Sequence, residues 1–169
     1  MAEKEKTALT ERVIAARAAV ADITPLAEDC GRICGAACCR SLPGEETGMA
    51  LFPGEEALFE GAAGFTLRRT DWGTLLVCSG TCDRATRPLA CRVFPLVPLW
   101  RDGEIRVAVD ASARAVCPLR RLSECRADFV EAVREAGREI ARTQAGADWL
   151  RELTARQDAL RELRQRMGG

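Results

Sequence analysis

The sequence predicts an α+β fold: a small antiparallel sheet with cysteine-rich loops, an N-terminal helix and two C-terminal helices. Three observations predict it. Apolar residues recur at helical spacing near both ends of the chain. In the middle they alternate with polar residues on one side of an Asp102-Gly103 pair, and nine cysteines lie in and around that region. At 169 residues the chain is long enough to bury a hydrophobic core.

The first predicted helix covers residues 5–23. Its apolar positions recur every three or four residues, at Leu9, Val13, Ala16 and Val20. Pro25 is expected to close it, because proline cannot continue a helix. Pro53 suits the first turn of a second, short helix that extends to about residue 60, with acidic residues near its N-terminus.

Two antiparallel pairs of strands are predicted in the middle of the chain, over residues 65–69 with 74–78 and residues 96–101 with 104–109. The second pair is joined by Asp102-Gly103, the dipeptide preferred in type I′ turns. After the turn Ile105, Val107 and Val109 alternate with other residues, so one face of this hairpin is expected to be half-buried.

The last quarter of the chain predicts two helices. Ser123 is expected to cap the first, and Gly146 to break it. One face of that helix would carry Cys125, Phe129, Val133, Ala136 and Ile140. The apolar stripe of the second would comprise Trp149, Leu153, Leu160, Leu163 and Met167. Its exposed surface offers the i,i+4 ion pairs Glu152/Arg156 and Glu162/Arg166.

Charge and hydropathy exclude several function classes. Lys plus Arg and Asp plus Glu both total 25, which argues against a general nucleic-acid binder. No apolar run reaches the roughly 18 residues that a membrane span needs. The charged start of the chain does not resemble a secretory signal. We therefore expect a cytoplasmic protein with no membrane and no nucleic acid as partner.

The cysteine and histidine counts point to metal chemistry. The chain has nine cysteines and no histidine, so a transition metal held by side chains would depend on thiolate. Thiolate is a soft ligand and favours zinc, Cu(I) or iron–sulfur clusters. In a reducing cytosol, neighbouring cysteines are more often ligands than disulfides, although scattered buried thiols remain an alternative.

The cysteines form three groups along the chain: Cys30, Cys34, Cys38 and Cys39; Cys78, Cys82 and Cys91; Cys117 and Cys125. If residues 30–39 begin as a helix, the first three would share one face. The adjacent Cys38 and Cys39 cannot share a direction, so they could serve two metals or two sides of one cluster. The neighbouring Arg84, Arg87 and Arg92 could offset the negative charge of a four-thiolate site.

A family resemblance rests on these cysteines. The dense group that ends in Cys38-Cys39, the later Cys78 and Cys82, the segment Arg87-Pro-Leu-Ala-Cys-Arg-Val-Phe-Pro95 and Cys117 resemble the CxxCxxCC family. That family is described as a zinc- or iron-chelating domain with eight cysteines, and its domain also occurs in flagellin lysine N-methylases. The first two cysteine gaps hold three residues here, where the family name implies two.

The resemblance covers residues 27–119, and with the helices predicted on either side it gives a three-part organisation: an N-terminal helix over residues 1–26, a cysteine-cluster domain over 27–119 and a helical segment over 120–169 that packs on it. It implies as metal ligands Cys30, Cys34, Cys38, Cys39, Cys78, Cys82, Cys91 and Cys117. Cys125 is left over, and its apolar neighbours predict a core position.

The expected function is metal binding. An iron–sulfur cluster, of the 4Fe–4S type, is favoured over zinc, and Arg87 and Arg92 are the expected cofactor-binding arginines. Alternatives are a redox or methylation-linked iron–sulfur enzyme and a carrier of metal or clusters. No residue is singled out as catalytic. The C-terminal helices are the expected surface for a protein partner.

Overall fold

The structure is a computed structural model that describes residues 3–40, 48–78, 80 and 82–168. It confirms the predicted α+β class. The helices are α1 Glu3–Ala19, α2 Cys30–Cys34, α3 Leu89–Val93, α4 Ala127–Ala141 and α5 Gln144–Arg166. The strands are β1 Gly48–Ala50, β2 Phe65–Thr70, β3 Gly73–Cys78, β4 Leu96–Arg101 and β5 Glu104–Val109. Short 3₁₀ helices occupy Ala37–Cys39, Glu56–Leu58, Arg84–Thr86, Ala111–Ala115 and Leu122–Glu124.

The strands form two antiparallel sheets, where the sequence predicted one. Three strands pair in the order β1-β3-β2, and β4 pairs with β5. Both predicted hairpins are confirmed, and β1 is an addition that the sequence did not reveal. Asp102 and Gly103 have φ angles of 51° and 82°, the positive values that a type I′ turn requires at both central positions.

The main hydrophobic core joins the N-terminal helix, the β4–β5 hairpin and the last two helices. Val13 of α1, Leu96 of β4, Phe129 of α4 and Leu150 of α5 are all buried within it. Burying each such side chain stabilises the fold by roughly 1.5–3 kcal/mol. Cys125 belongs to the same cluster and is 8% exposed, in agreement with its predicted core position.

A smaller core lies beneath the three-stranded sheet. It consists of three buried residues, Leu51, Phe59 and Leu76, with Phe65 and Leu67 packed against them. The ring centroids of Phe59 and Phe65 lie 5.2 Å apart in an edge-to-face arrangement. The sheet that carries Cys78 is therefore supported by much less buried apolar surface than the β4–β5 hairpin.

The starts of the last two helices differ from the prediction. Ser123 does not cap α4, which begins at Ala127, after the 3₁₀ helix at Leu122–Glu124. Gly146 does not break a helix either: α5 already begins at Gln144, and the Thr143 side chain caps it by accepting a hydrogen bond from Gly146 N at 3.1 Å. A Cβ on Gly146 would lie 2.0 Å from the carbonyl oxygen of Ile140, so this glycine permits close packing of the helix ends.

Three other elements depart from expectation. Helix α1 ends at Ala19, four residues earlier than predicted, and the short helix near residue 56 is a 3₁₀ turn. On α5 the buried residues are Gly146, Ala147, Leu150, Thr154 and Gln157, whereas Leu160, Leu163 and Met167 are exposed. These three apolar residues belong to neither hydrophobic core and lie on the exposed side of this part of the chain. Both predicted i,i+4 ion pairs form, each at 3.8 Å.

A buried carboxylate, that of Glu55, connects helix α1 to helix α3. Glu55 is fully buried, and its Oε1 accepts hydrogen bonds from Nη1 of Arg17 on α1 at 2.6 Å and from the backbone N of Leu89 on α3 at 2.7 Å. Burial raises the pKa of Glu55, and the two donors oppose that shift. One side chain therefore ties α3 to α1, in addition to their apolar contacts in the main core.

Replacement of Glu55 by alanine should be costly. It would leave the Arg17 guanidinium, whose side chain is only 14% exposed, without its carboxylate, and we expect a loss of about 3 kcal/mol in the free energy of unfolding. Denaturant unfolding monitored by circular dichroism measures the loss. The matched control is Glu162→Ala, which removes an exposed ion pair and should cost less than about 1 kcal/mol. Equal losses in the two variants would contradict the structural role of Glu55.

Candidate metal centre

The eight cysteines predicted as ligands lie around two adjoining clefts. The larger cleft has a volume of about 180 Å³, and its cysteines are Cys30, Cys34, Cys38, Cys91 and Cys117. The smaller has a volume of about 30 Å³, and its cysteines are Cys38, Cys39, Cys78, Cys82 and Cys91. Cys38, Cys91 and Arg87 line both. Segments far apart in the sequence thus meet at one place in the fold.

The first cysteine segment turns sharply in its middle. Asp29 caps α2, because its Oδ1 accepts a hydrogen bond from Gly31 N at 3.0 Å. Cys30 and Cys34 lie one helical turn apart, and Cys34 Sγ donates to the Cys30 carbonyl at 3.5 Å. The helix ends there, since Gly35 and Ala36 both have positive φ angles, 61° and 55°. Cys38 therefore does not continue the face of Cys30 and Cys34, as an unbroken helix would have required.

The adjacent pair Cys38 and Cys39 follows that turn on a 3₁₀ helix. Their Sγ atoms lie 3.9 Å apart and share a hydrogen bond. This bond lowers the pKa of Cys39 to about 6 and raises the pKa of Cys38. The pair is therefore poised to hold one proton between two sulfurs, with Cys39 as the more acidic thiol.

The loop after β3 brings Cys78 and Cys82 to Cys39. Gly80, between them, has a φ of 81°, in the left-handed region that favours glycine. A Cβ at this position would lie 2.6 Å from the carbonyl oxygen of Cys39. Gly80 thus allows the loop to pass directly against the backbone of the first cysteine segment.

Charge interactions link the thiols within two sets, and Cys38 and Cys39 connect the two sets. Burial, together with the neighbouring Cys39, Cys78 and Cys82, raises the pKa of Cys91 to about 12. Burial likewise raises the pKa of Cys30, with contributions from Cys34 and Cys117. The pKa of Cys38 is raised mainly by its hydrogen bond to Cys39, and the charges of Cys34 and Cys30 raise it as well. We define the first group as Cys30, Cys34, Cys38 and Cys117, and the second group as Cys39, Cys78, Cys82 and Cys91.

Three arginines of this region play different parts. Arg84 donates to the carbonyls of Val20, Ala21 and Ile23, so it holds the end of α1. Arg92 is 7% exposed and donates to the carbonyls of Ala85 at 2.6 Å and Arg87 at 2.9 Å. The guanidinium groups of Arg84 and Arg92 are therefore hydrogen-bonded to backbone carbonyl oxygens.

Arg87 instead faces the thiols. Its side chain is hydrogen-bonded to Cys82, and Cys39, Cys82 and Cys91 raise its pKa against the effect of burial. Its Nε is buried and has no hydrogen-bond partner among the described residues. Of the two arginines predicted to bind a cofactor, Arg87 and Arg92, only Arg87 is shown here to contact a cysteine.

The described residues do not form a closed coordination site. Within residues 3–40, 48–78, 80 and 82–168, no three Cys, His, Asp or Glu side chains are arranged to hold a metal ion. All nine cysteines are free thiols, and Cys125 lines neither cleft. Metal binding at either group would therefore require its sulfurs to draw together.

Comparisons with known proteins add no assignment. The chain matches no protein-family model, no curated protein and no solved structure. In the part of the chain that the structure describes, no helix combines the length and apolar character needed to cross a bilayer. The CxxCxxCC resemblance stays a prediction, and the candidate centre rests on its residues and their placement.

The close approach at Gly80 can be tested with a matched pair of variants. Gly80 and Gly64 have the same φ of 81°, but a Cβ on Gly64 would have no atom within 4 Å. Both alanine variants should lose about 1 kcal/mol to backbone strain, and Gly80→Ala should lose a further 1–3 kcal/mol from the contact with Cys39. Urea unfolding curves give the two values. Equal losses would show that the loop does not press against Cys39.

Proposed function

We propose that this protein binds metal through two four-cysteine sites, one formed by the first group and one by the second. The observation that carries the proposal is the gathering of eight free thiols, from residue 30 to residue 117, around two adjoining clefts. Thiols scattered by chance through a core would not collect in this way. The eight are the same cysteines that the CxxCxxCC resemblance selects as ligands.

The donor set suits two kinds of occupant. Four thiolates saturate a tetrahedral zinc ion or the four irons of a 4Fe–4S cluster. The cleft of the second group, at about 30 Å³, exceeds the roughly 10–15 Å³ that one enclosed water molecule needs, so it has room for a single ion. The cleft of the first group, at about 180 Å³, has room for a cluster. An iron–sulfur cluster in the first group and zinc in the second are therefore the favoured occupants.

Local charge supports anionic four-thiolate sites here. Arg17, Arg84 and Arg87 all lie close enough to Arg92 to lower its pKa, after the larger effect of burial. Glu55 is the one carboxylate found to oppose them, and it already pairs with Arg17. Thiolates on the adjoining clefts would neutralise this excess of positive charge, and Arg87 is the arginine that faces them.

A bound metal would cross-link the three-stranded sheet, which has only the smaller core, to α3, whose Leu89 and Val93 lie in the main core. The second group joins the three-stranded sheet, through Cys78, to α3, through Cys91. Tetrathiolate zinc can contribute on the order of 10 kcal/mol to folding, and a cluster would add electron-transfer chemistry. We propose a cytoplasmic location, where thiols stay reduced.

Metal content measured after anaerobic purification tests the proposal. We expect iron and sulfide in equal amounts, a broad absorbance band near ~400 nm and about one zinc per chain. Cys34→Ser should remove the metal of the first group, and Cys82→Ser the metal of the second. Cys125→Ser is the matched control and should keep both. Retention of all metal in Cys34→Ser and Cys82→Ser would refute the proposed ligands, and metal-free wild-type protein would refute the function.

Arg87 should govern how tightly the metal is held. Arg87→Gln removes a positive charge next to Cys82, and we expect metal affinity, measured by competition with a chelator, to fall about tenfold. Arg87→Lys retains the charge and should recover part of that loss. Arg106→Gln removes an exposed arginine paired with Glu104 and should leave metal affinity unchanged. A tenfold fall in Arg106→Gln as well would show that overall charge, not position, sets the affinity.

A further inference from the structure

A cleft outside the cysteine region is lined by arginines with few carboxylate partners. It lies between the end of β5 and the C-terminal half of α5, has a volume of about 350 Å³ and is lined by Arg114, Arg120, Arg161 and Arg164. Asp110 is the single carboxylate among its lining residues, and its Oδ1 accepts hydrogen bonds from Ser112 N at 2.7 Å and Ser112 Oγ at 2.6 Å. We name this feature the arginine cleft.

The guanidinium groups of the arginine cleft are incompletely neutralised. Arg161 pairs with Asp158 at 3.2 Å, but Asp158 also pairs with Arg101. Across the described ranges, no ion pair involves the side chains of Arg114, Arg120 or Arg164. Nη1 of Arg164 is buried without a hydrogen-bond partner. An unpaired buried donor on a cation is costly unless a ligand satisfies it.

Another arginine-lined cleft of the same protein shows that this is not a general property of its surface. That cleft, of about 580 Å³, is lined by Arg106, Arg134, Arg138 and Arg142. Each of these four forms an ion pair with a glutamate, Glu104, Glu131, Glu135 or Glu139. Every arginine of that cleft has an ion-pair partner within the protein, whereas in the arginine cleft only Arg161 has one among the described residues, and Arg120 acts at longer range on Glu124.

The walls of the arginine cleft are fixed to one another. Oε1 of the buried Gln157 on α5 accepts a hydrogen bond from the backbone N of Ala111 at 2.7 Å. Nη2 of Arg161 donates to the Val109 carbonyl at 3.1 Å. The cleft is therefore preorganised, which lowers the entropic cost of binding a ligand.

We propose that the arginine cleft binds a small phosphate monoester. Several guanidinium groups around one space call for a ligand with more than one negative charge and several acceptor oxygens, and the phosphate dianion supplies both. The cleft volume falls at the lower end of the roughly 300–1,000 Å³ typical of small-molecule sites. The arginine cleft shares no lining residue with the two cysteine clefts, although Arg120 lies close enough to Cys117 for its charge to act on that thiol.

Isothermal titration calorimetry with three probes tests the ligand class. Inorganic phosphate and adenosine 5′-monophosphate should both bind the full-length protein, the ester more tightly, and adenosine should not bind. Raising the salt concentration should weaken both interactions, because mobile ions screen them. Failure of both phosphate probes to bind, or equal binding of adenosine and its monophosphate, would overturn the proposal.

Variants locate the binding to the arginine cleft. Arg164→Gln and Arg120→Gln should each weaken adenosine 5′-monophosphate binding about tenfold, the expected effect of losing one charged hydrogen bond. Arg138→Gln, in the ion-paired cleft, is the matched control and should bind as the wild type does. Thermal melts report whether each variant folds. Arg120 lies at an exposed loop position, so Arg120→Gln serves as the test if Arg164→Gln does not fold. Unchanged affinity in Arg120→Gln, or equal weakening in Arg138→Gln, would refute the assignment.

Discussion

The buried Glu55 carboxylate is the interaction on which the arrangement of the cysteine region depends. It holds Arg17 of α1 and the first backbone N–H of α3 on a single oxygen, Oε1. Because α3 carries Cys91, this carboxylate also fixes one of the two cysteines that both clefts share. Arg92, on the same short helix, is held by carbonyl groups of the preceding segment, so α3 is anchored from both of its sides. Oε2 of Glu55 is buried and has no hydrogen-bond partner among the described residues, so the two donors on Oε1 offset only part of the cost of burying this carboxylate.

The two groups of cysteines are not independent. Cys38 and Cys39 are adjacent in the chain and belong to different groups, and Cys91 borders the cleft of each. Movement of the sulfurs in one group therefore shifts the other group, because Cys38 and Cys39 are joined by a single peptide bond. The small core beneath the three-stranded sheet contains three buried residues, so apolar packing contributes little to the alignment of this region. Under the proposed function, metal–thiolate bonds take over that role, as they do in other small domains with limited cores.

The sequence predicted best where structure is determined locally. The hairpin of β4 and β5 has the predicted bounds because alternation and an Asp-Gly turn are both short-range signals. Strand β1 escaped prediction because it has three residues and depends on pairing with β3, more than twenty residues away. Gly146 was expected to end a helix because glycine usually weakens one, but its lack of a side chain instead permits contact with Ile140. The sequence around Gly146 does not distinguish a glycine that ends a helix from one that permits close packing.

The candidate site shows the same division. The family resemblance selected the eight cysteines, but their grouping in space differs from their grouping in sequence: Cys117 joins Cys30 and Cys34, and Cys39 joins the later cysteines. The turn at Gly35 and Ala36 and the close approach at Gly80 produce that regrouping, and both are tertiary features.

The equal numbers of acidic and basic residues argued against a general polyanion binder, and they conceal two places where arginines outnumber carboxylates. One lies beside the thiols, around Arg87, and the other is the arginine cleft. Elsewhere arginine and glutamate pair along the same helix, as on α4, where spacing of three residues brings them together without any ligand. Binding of anions requires a local excess that the protein itself does not neutralise. Net charge cannot reveal such an excess, because only the fold decides which arginines meet a carboxylate and which meet a cleft.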